Sequence, residues 1–447
     1  MEQVKVKQFE DEGLSHFSYA VVAAGKVVLI DPPRDPQPCL DYAKSAHADI
    51  IGIIETHPHA DFVSAHLELH LLTGAPIYVS SLVGAEYPHH AFDEGAVLKM
   101  SETVSLTAMH TPGHSPDSIS VLLKVSGMQK AVFTGDTLLI GDVGRPDLRE
   151  EDGALDNQRK ELARMMYRST REKLMKLEDR VIVYPTHGAG SLCAKSISDA
   201  KSSTIGKEKA DNPALQEMPE EEFVQQLLED QPFVPRYFPY NVQVNKIGAP
   251  SYQVSIDQVE RFSSNYHPED QHWIIDGRDA DTFKASHLSG AINIVNETKF
   301  ETWLGSIVPP GEKFYLVAAR DAALSEMIAK SAKIGYEKYI KAGFVYDLED
   351  GEQMDLFDKK SFDENPDHFT VLDVRNDNEV NEGKLFQSAI HIPLDQLMER
   401  AGELPLQKPI VVHCGSGYRS AAASSILQKI LKQIKILDMG SAIKDYK

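Results

Sequence analysis

The chain has 447 residues, 42% of them hydrophobic and 25% charged, with a formal net charge of −21. That length is more than one core organises and requires two or three domains. So acidic a surface repels phosphate backbones, which excludes nucleic acid as an expected partner. The mean hydropathy of −0.30 fits a globular protein. No apolar run is long enough to span a bilayer, so no membrane partner is expected. The opening MEQVKVKQFEDEG has no basic stretch followed by an apolar one, so no secretory leader is expected. The three cysteines, Cys39, Cys193 and Cys414, are far apart and odd in number. They argue for reduced thiols and a cytoplasmic protein.

Residues 16–31 (FSYAVVAAG, then KVVLIDP) read as a hairpin. The apolar run at 50–54 (IIGII) has the length of a buried strand and ends at Glu55-Thr56, where polar residues gather. Further short strands are predicted at 76–80, 103–109, 118–125 and 131–134. A helix is predicted over 155–177, then a strand in VIVYP before Thr186-His187-Gly188. Strands alternating with helices, with polar clusters at strand ends, predict a layered α/β domain with a site on its rim. Residues 195–240 turn polar, then acidic and helical, then rich in Pro and aromatics, which predicts the end of the first domain and a connection onward.

After about residue 250 an internal repeat begins. WIIDGRDADTFKASHLSGAINI (273–294) and TVLDVRNDNEVNEGKLFQSAIHIP (370–393) each carry a strand ending in Asp-x-Arg, a helix, and Ala-Ile-x-Ile. Each leads to another buried strand, FYLVA (314–318) or IVVHC (410–414), and a helical run. Two copies of one small α/β domain are expected.

Four polar clusters at predicted strand ends carry the first chemistry. They are Thr56-His57-Pro58-His59-Ala60-Asp61-Phe62, His110-Thr111-Pro112-Gly113-His114, Phe133-Thr134-Gly135-Asp136 and Pro185-Thr186-His187-Gly188. Gly and Pro make tight turns that present His114 and Asp136. Histidine with aspartate suits borderline divalent metals, iron, zinc or manganese among them. The second chemistry is in Cys414-Gly415-Ser416-Gly417-Tyr418-Arg419, between a buried strand and a helix. A sulfur placed there faces backbone N–H groups and a helix dipole that favour negative charge, and the same cradle suits a persulfide anion. Arg419 adds positive charge.

The run THPHADF, TPGHS, TGD, PTHG resembles the metallo-β-lactamase fold family, αββα in architecture. Many members hold two metals through HxHxDH, and here the last position is Phe62. A phenyl ring cannot ligate. The resemblance therefore implies a first site from among His57, His59, His114 and Asp136, a second site short of a ligand, and a single metal. The stretch FTGDTLLIGDVGRPDL (133–148) is similar to the persulfide dioxygenases of that family. This similarity implies one Fe(2+) per chain held by His57, His114 and Asp136, with His59 and Asp61 beside it and His187 hydrogen-bonding at the centre. It also implies that Arg145 supports the substrate; an ion pair with Asp142 or Asp147 is the alternative. Cys193, six residues after His187, either carries a persulfide at the metal cavity or is a buried small hydrophobe. Cys39 reads as inert.

The Cys414 loop resembles the rhodanese signature, with Gly415, Ser416, Gly417 and Tyr418 contacting the transferred sulfur and Cys414 and Arg419 catalytic. Aligning FYLVAARDAALSE with IVVHCGSGYRSAA puts Ala318 at the cysteine position, so the first repeat resembles a pseudo-rhodanese without cysteine chemistry. The implied layout is a metallo-β-lactamase-like dioxygenase with connecting segment (1–245), a cysteine-free rhodanese-like domain (246–355) and a catalytic rhodanese domain (356–447). The implied partners are low-molecular-weight thiol persulfides (glutathione, coenzyme A or bacillithiol type), dioxygen and sulfite, in a homo-oligomer devoted to sulfide detoxification. A glyoxalase II-type zinc thioester hydrolase and a non-enzymatic sulfur carrier are the competing readings.

Overall fold

The computed structural model describes residues 3–146, 155–264, 266–269, 271–347 and 350–447. The chain forms two compact units, residues 1–254 with 333–335, and residues 255–332 with 336–447.

The first unit is built on two six-stranded sheets. One has the spatial order β1 (Lys5–Asp11), β2 (His16–Ala23), β3 (Lys26–Ile30), β4 (Asp49–Ile54), β5 (Ile77–Val79) and β6 (His90–Ala91). The other contains β7 (Val97–Lys99), β8 (Val104–His110), β9 (Ile119–Val125) and β10 (Met128–Gly135). After a short hairpin of β11 (Leu138–Leu139) and β12 (Asp142–Val143), the chain adds β13 (Ile182–Pro185) and β14 (Ser203–Thr204) beyond β10. Alternate residues of both sheets meet in one core, Tyr19, Val21, Ile30 and Ile54 against Leu106, Val121, Leu123 and Phe133. The opposite faces are covered by helices. Ala43 and Leu69, from the helices Gln37–Ser45 and His66–Thr73, pack on the first sheet. Ala163 and Met166, from the helix Leu155–Arg168, pack on the second.

The hairpin at 16–31 and the strands expected before residue 186 form at these places. The helix begun at Leu155 continues as a wide turn over Ser169–Lys173 and a tight one over Leu174–Lys176. The segment read as a connection contributes to the core instead. Phe223, Val224 and Leu227 share one face of the helix Glu220–Leu228 and are buried with Leu215. A polar composition concealed them, because one apolar stripe suffices to seat a surface helix.

Topology fixes where the site lies. β10 pairs with β13 in parallel, so Gly135 and Pro185 end side by side. β4 runs parallel to β3, which brings Asp31 beside the loop after Ile54.

The second unit has two parallel sheets, again matching the repeat. β15 (Arg261–Phe262), β16 (Trp273–Asp276), β17 (Ile292–Asn293), β18 (Phe314–Ala318) and β19 (Ile340–Val345) take the order β15-β19-β18-β16-β17. β20 (Thr370–Asp373), β21 (Ile390–His391), β22 (Ile410–His413) and β23 (Ile436–Asp438) take the order β21-β20-β22-β23. The sequence β17-β16-β18-β19 is thus laid down twice. In both copies the Asp-x-Arg motif closes on itself: Arg278 Nη2 lies 2.6 Å from Asp276 Oδ2, and Arg375 Nη2 lies 2.7 Å from Asp373 Oδ2.

Candidate metal centre and cysteine loop

His57, His114 and Asp136 come from the ends of three strands and offer ligand atoms that all lie within 4.8 Å of one another, each residue buried. Their Nε2 atoms stand 3.8 Å (His57) and 3.6 Å (His114) from Asp136 Oδ2. His114 Nδ1 lies 2.8 Å from the carbonyl of Arg145, which can only accept, so Nδ1 carries the proton and Nε2 turns its lone pair inward. His57 Nδ1 is 3.0 Å from Thr56 Oγ1. Neither carboxylate oxygen of Asp136 has a hydrogen-bond partner, although both are buried. A buried carboxylate without donors is costly. Two inward imidazoles beside it make a donor set that fits one divalent cation, with room for exogenous ligands.

Close backbone approach shapes this cluster. A side chain at Gly113 would place its Cβ 2.5 Å from Met166 Cα, and one at Gly144 would fall 1.9 Å from the carbonyl oxygen of Asp136. The turns that present His114 and Asp136 therefore require glycine.

His59 belongs to a different group. It gathers with Asp31 and Glu55, its Nε2 3.1 Å from Asp31 Oδ1 and 3.7 Å from Glu55 Oε2. The phenyl ring of Phe62 stacks on it at 4.4 Å. Asp61 gathers instead with His187 and Cys193. His187 Nε2 is 3.4 Å from Asp61 Oδ2 and 3.5 Å from Asp136 Oδ2. Burial opposes a charge on His187, yet Asp136 and Asp61 outweigh it and hold its pKa above the ordinary range. The same burial, with Asp136 next in strength, pushes the Cys193 thiol up to about 12. Cys193 is thus buried beside His187 and Asp61, where its thiol is held protonated. Cys39, pushed up to about 12 by burial and then Asp35, packs in the core between sheet and helix.

Arg145 serves the centre through its backbone, whose carbonyl orients His114 and whose N–H donates to the carbonyl of Cys193 (2.8 Å). Its Nη1 donates to the carbonyls of Pro232 (2.8 Å) and Phe233 (3.2 Å), and its guanidinium faces the Phe238 ring. Asp142, one of its two alternative partners, instead accepts from the backbone N–H groups of Val143, Lys195 and Ser196. Asp147, the other, lies outside the described residues.

Two supporting residues escaped the sequence reading. Asp31 accepts from the N–H of Thr56 (2.7 Å), from Thr56 Oγ1 (2.9 Å) and from Thr186 Oγ1 (3.2 Å). Its backbone sits at φ 50°, a conformation sparsely populated outside glycine. Burial works against its charge, but His59 and Thr56 hold its pKa below the ordinary value. Asn245 clamps the metal loop from behind: Nδ2 donates to the carbonyls of His59 and Phe62 and Oδ1 accepts from the N–H of Ser64, all at 2.8 Å. The DPP around Asp31 reads as an ordinary turn, and Asn245 is far away in sequence; neither gives a local signal.

In the second unit Cys414 directly follows β22, fully buried, and the N–H of Gly417 donates to its Sγ at 3.2 Å. Gly417 stands at φ 106° before the helix Tyr418–Ile430. Two loop side chains have partners away from the sulfur. Arg419 forms a two-pronged ion pair with Glu379, Nη2 to Oε1 at 2.7 Å and Nη1 to Oε2, because the capping box of the helix Asp377–Glu382 presents that carboxylate. Tyr418 spends its hydroxyl on the carbonyl of Val295 in the first repeat (3.1 Å). Gly415 and Ser416 sit on the loop as expected. Ala318, the counterpart of Cys414, ends β18 as a buried core residue.

Comparison with known proteins agrees with the fold of both units. The metallo-beta-lactamase superfamily matches residues 11–187, and the rhodanese-like domain family matches residues 354–442. The crystal structure of a metallo-beta-lactamase from Staphylococcus aureus subsp. aureus COL is 30% identical with a TM-score of 0.71, and the alignment covers 77% of this chain and 99% of that one. The chain belongs to the metallo-β-lactamase superfamily. It joins that fold to a C-terminal rhodanese-like domain, and its relatives include persulfide dioxygenases. Persulfide dioxygenase ETHE1, mitochondrial, of Homo sapiens is 30% identical over 196 residues, 42% of this chain and 66% of that protein. The cytoplasmic hydroxyacylglutathione hydrolase of Arabidopsis thaliana is 29% identical over 134 residues, 29% of this chain and 52% of that protein. The chain therefore spans about two thirds of the persulfide dioxygenase and about half of the hydrolase. No helix among the described residues is long and apolar enough to cross a membrane.

Proposed function

We propose that the N-terminal domain is a mononuclear Fe(2+) persulfide dioxygenase and that Cys414 couples it to formation of thiosulfate. The observation that carries this reading is the buried trio of His57, His114 and Asp136, together with Phe62 stacked on His59 where a further histidine would complete a second metal site. Such a two-histidine, one-carboxylate set leaves positions at which ferrous iron brings a persulfide sulfur and dioxygen together. The chain's own groups prepare that meeting. Arg145 and Thr56 fix the imidazoles, Asp136 supplies the negative charge, and the surrounding burial excludes water.

In overall balance, a thiol persulfide anion, dioxygen and water give the thiol and hydrogensulfite. At the second site the Cys414 thiolate attacks the outer sulfur of another persulfide; an S–S bond breaks, a new one forms, and thiol leaves. Sulfite then attacks the outer sulfur held on Cys414, which releases thiosulfate and restores the thiolate. The domain limits we assign are 1–245, 246–355 and 356–447, and the substrates are glutathione, coenzyme A or bacillithiol persulfides.

Oxygen uptake by anaerobically purified, iron-loaded protein with glutathione persulfide tests the reading. Uptake with sulfite as product supports it. Hydrolysis of S-lactoylglutathione with no oxygen uptake would overturn it in favour of the thioester hydrolase, the activity named in the Arabidopsis relative.

A further inference from the structure

The first repeat has no cysteine to work with, yet a chain of contacts runs from it to Cys414. Lys284, on the helix Ala280–Ala285 of that repeat, places Nζ 2.8 Å from Asp438 Oδ2. Both side chains are largely buried, 11% and 1% exposed. The other oxygen of Asp438 accepts from the N–H of Gly440 at 2.9 Å. Gly440 in turn is the wall against which Gly417 packs: a Cβ on Gly417 would lie 2.8 Å from the carbonyl carbon of Gly440 and 3.0 Å from the nitrogen of Ser441. Gly417 then donates its N–H to Cys414 Sγ. A second tether runs in parallel, with the Tyr418 hydroxyl on the Val295 carbonyl and the Asn293 N–H on Ser425 Oγ (2.9 Å).

We propose that the cysteine-free repeat is a positioning platform for the Cys414 loop, with Lys284 and Val295 fixing, through Asp438, Gly440 and Tyr418, the backbone donor that faces the sulfur. Three physical points carry this. The ammonium of Lys284 lies 2.8 Å from the buried Asp438 carboxylate and 3.5 Å from that of Asp281, so removing it leaves Asp438 as an uncompensated buried charge next to Gly440. The Gly417–Gly440 approach leaves no slack for side chains, so a shift at Gly440 moves Gly417. The sulfur is fully buried, so the protein donors around it, and not water, set its reactivity. Lys284 and Tyr418 are positioning residues here. The inference rests on the reading of Cys414 as a working sulfur site, but its test reads the loop itself.

The experiment is alkylation of Cys414 in the full-length chain by iodoacetamide and by iodoacetate, followed by peptide mass spectrometry at residue 414, with the melting temperature measured alongside. Lys284→Met leaves Asp438 buried and unpaired and releases Gly440. The expected result is alkylation by iodoacetamide slowed at least about five-fold, the scale of one hydrogen bond, because the donor that favours the thiolate is displaced. Iodoacetate should lose more than iodoacetamide, because an unpaired carboxylate beside the loop repels it. Lys284→Arg, which keeps the cation, should restore both rates. Tyr418→Phe should alter the iodoacetamide rate in the same sense while leaving the iodoacetate-to-iodoacetamide ratio unchanged. If Lys284→Met melts as the parent does and reacts within two-fold of it with both reagents, the platform is overturned. If Lys284→Met fails to fold, Tyr418→Phe decides: a changed rate sustains the proposal and an unchanged one sinks it. Thiosulfate-to-cyanide sulfur transfer by the parent chain separates the two readings. Its absence would remove the sulfurtransferase function while leaving the alkylation result to judge the platform.

Discussion

Phe62 stacks on His59 with ring centroids 4.4 Å apart and planes 30° from parallel, and His16 lies against the same phenyl ring at 3.8 Å. The aromatic ring holds its two neighbours by contact in a position where an imidazole could ligate. Burial, and then His187 and His59, push His16 well below the ordinary histidine range, so it remains neutral beside the ring. Phe62→His should raise the metal content from about one to about two ions per chain and abolish oxygen uptake, since a second ion would draw on Asp61 and His187. Elemental analysis of anaerobically purified protein checks the first outcome, and an oxygen electrode the second. Unchanged metal content would show that the phenyl ring is not what limits the site.

Gly144 touches Asp136 without ligating anything. Its missing Cβ would fall 1.9 Å from the Asp136 carbonyl oxygen, a backbone atom that cannot step aside. Gly144→Ala should displace the carboxylate and weaken metal affinity by about 10–100-fold, the loss typical of disturbing the groups that orient ligands. A competition titration against a chelator reads this directly.

The two Asp-x-Arg motifs look alike, and burial raises the pKa of both aspartates, but the net shifts are opposite. For Asp276, burial outweighs Arg278 and raises the pKa; for Asp373, burial is outweighed by Arg375 and His413 and the pKa is lowered. The stability that the Asp373 carboxylate contributes is therefore complete above the usual aspartate value of about 4, and it is lost as the pH falls through its lower folded value. Asp276 has the reverse sign: its favourable contribution is complete below about 4 and is lost as the pH rises through its raised folded value. At pH 7, Asp373→Asn should cost about 3 kcal/mol, as for a broken buried pair. Asp276→Asn should cost less, because burial already disfavours the Asp276 carboxylate. The gap should close on acidification below pH 4. Thermal unfolding of both variants across pH settles it.

Cys414→Ser should leave oxygen uptake within about two-fold of the parent and stop thiosulfate formation, so that sulfite accumulates. Sulfur speciation of the products distinguishes this from an uncoupled pair of activities, in which sulfite would not rise.

Much of the centre was legible because ligands at strand ends carry a local signature. His57, His114, Asp136 and His187 each follow an apolar run and sit by a Gly or Pro turn, and the sheets deliver all four to one rim. Cys414 was legible for the same reason. The supporting groups were not. Asn245 reaches back across the fold to the carbonyls of His59 and Phe62, and no periodicity encodes that distance. The ion pair of Arg419 was hidden because Glu379 lies in the other half of the repeat, and its helix cap brings it round. The tether from the Tyr418 hydroxyl to the Val295 carbonyl was equally hidden, because the acceptor belongs to the preceding repeat. The helix Glu220–Leu228 looked like a tether because only three of its residues face inward.

Asp31 joins Thr56 and His59, on the loop after β4, to Thr186, on the loop after β13, through a single side chain. Substitutions at these four positions are consequently epistatic. A double-mutant cycle between Asp31 and Thr186 should show a coupling of about 1 kcal/mol, although neither residue is among the proposed ligands. A change at one of them should therefore alter which residues the others tolerate, although none of the four binds the metal in the proposed set.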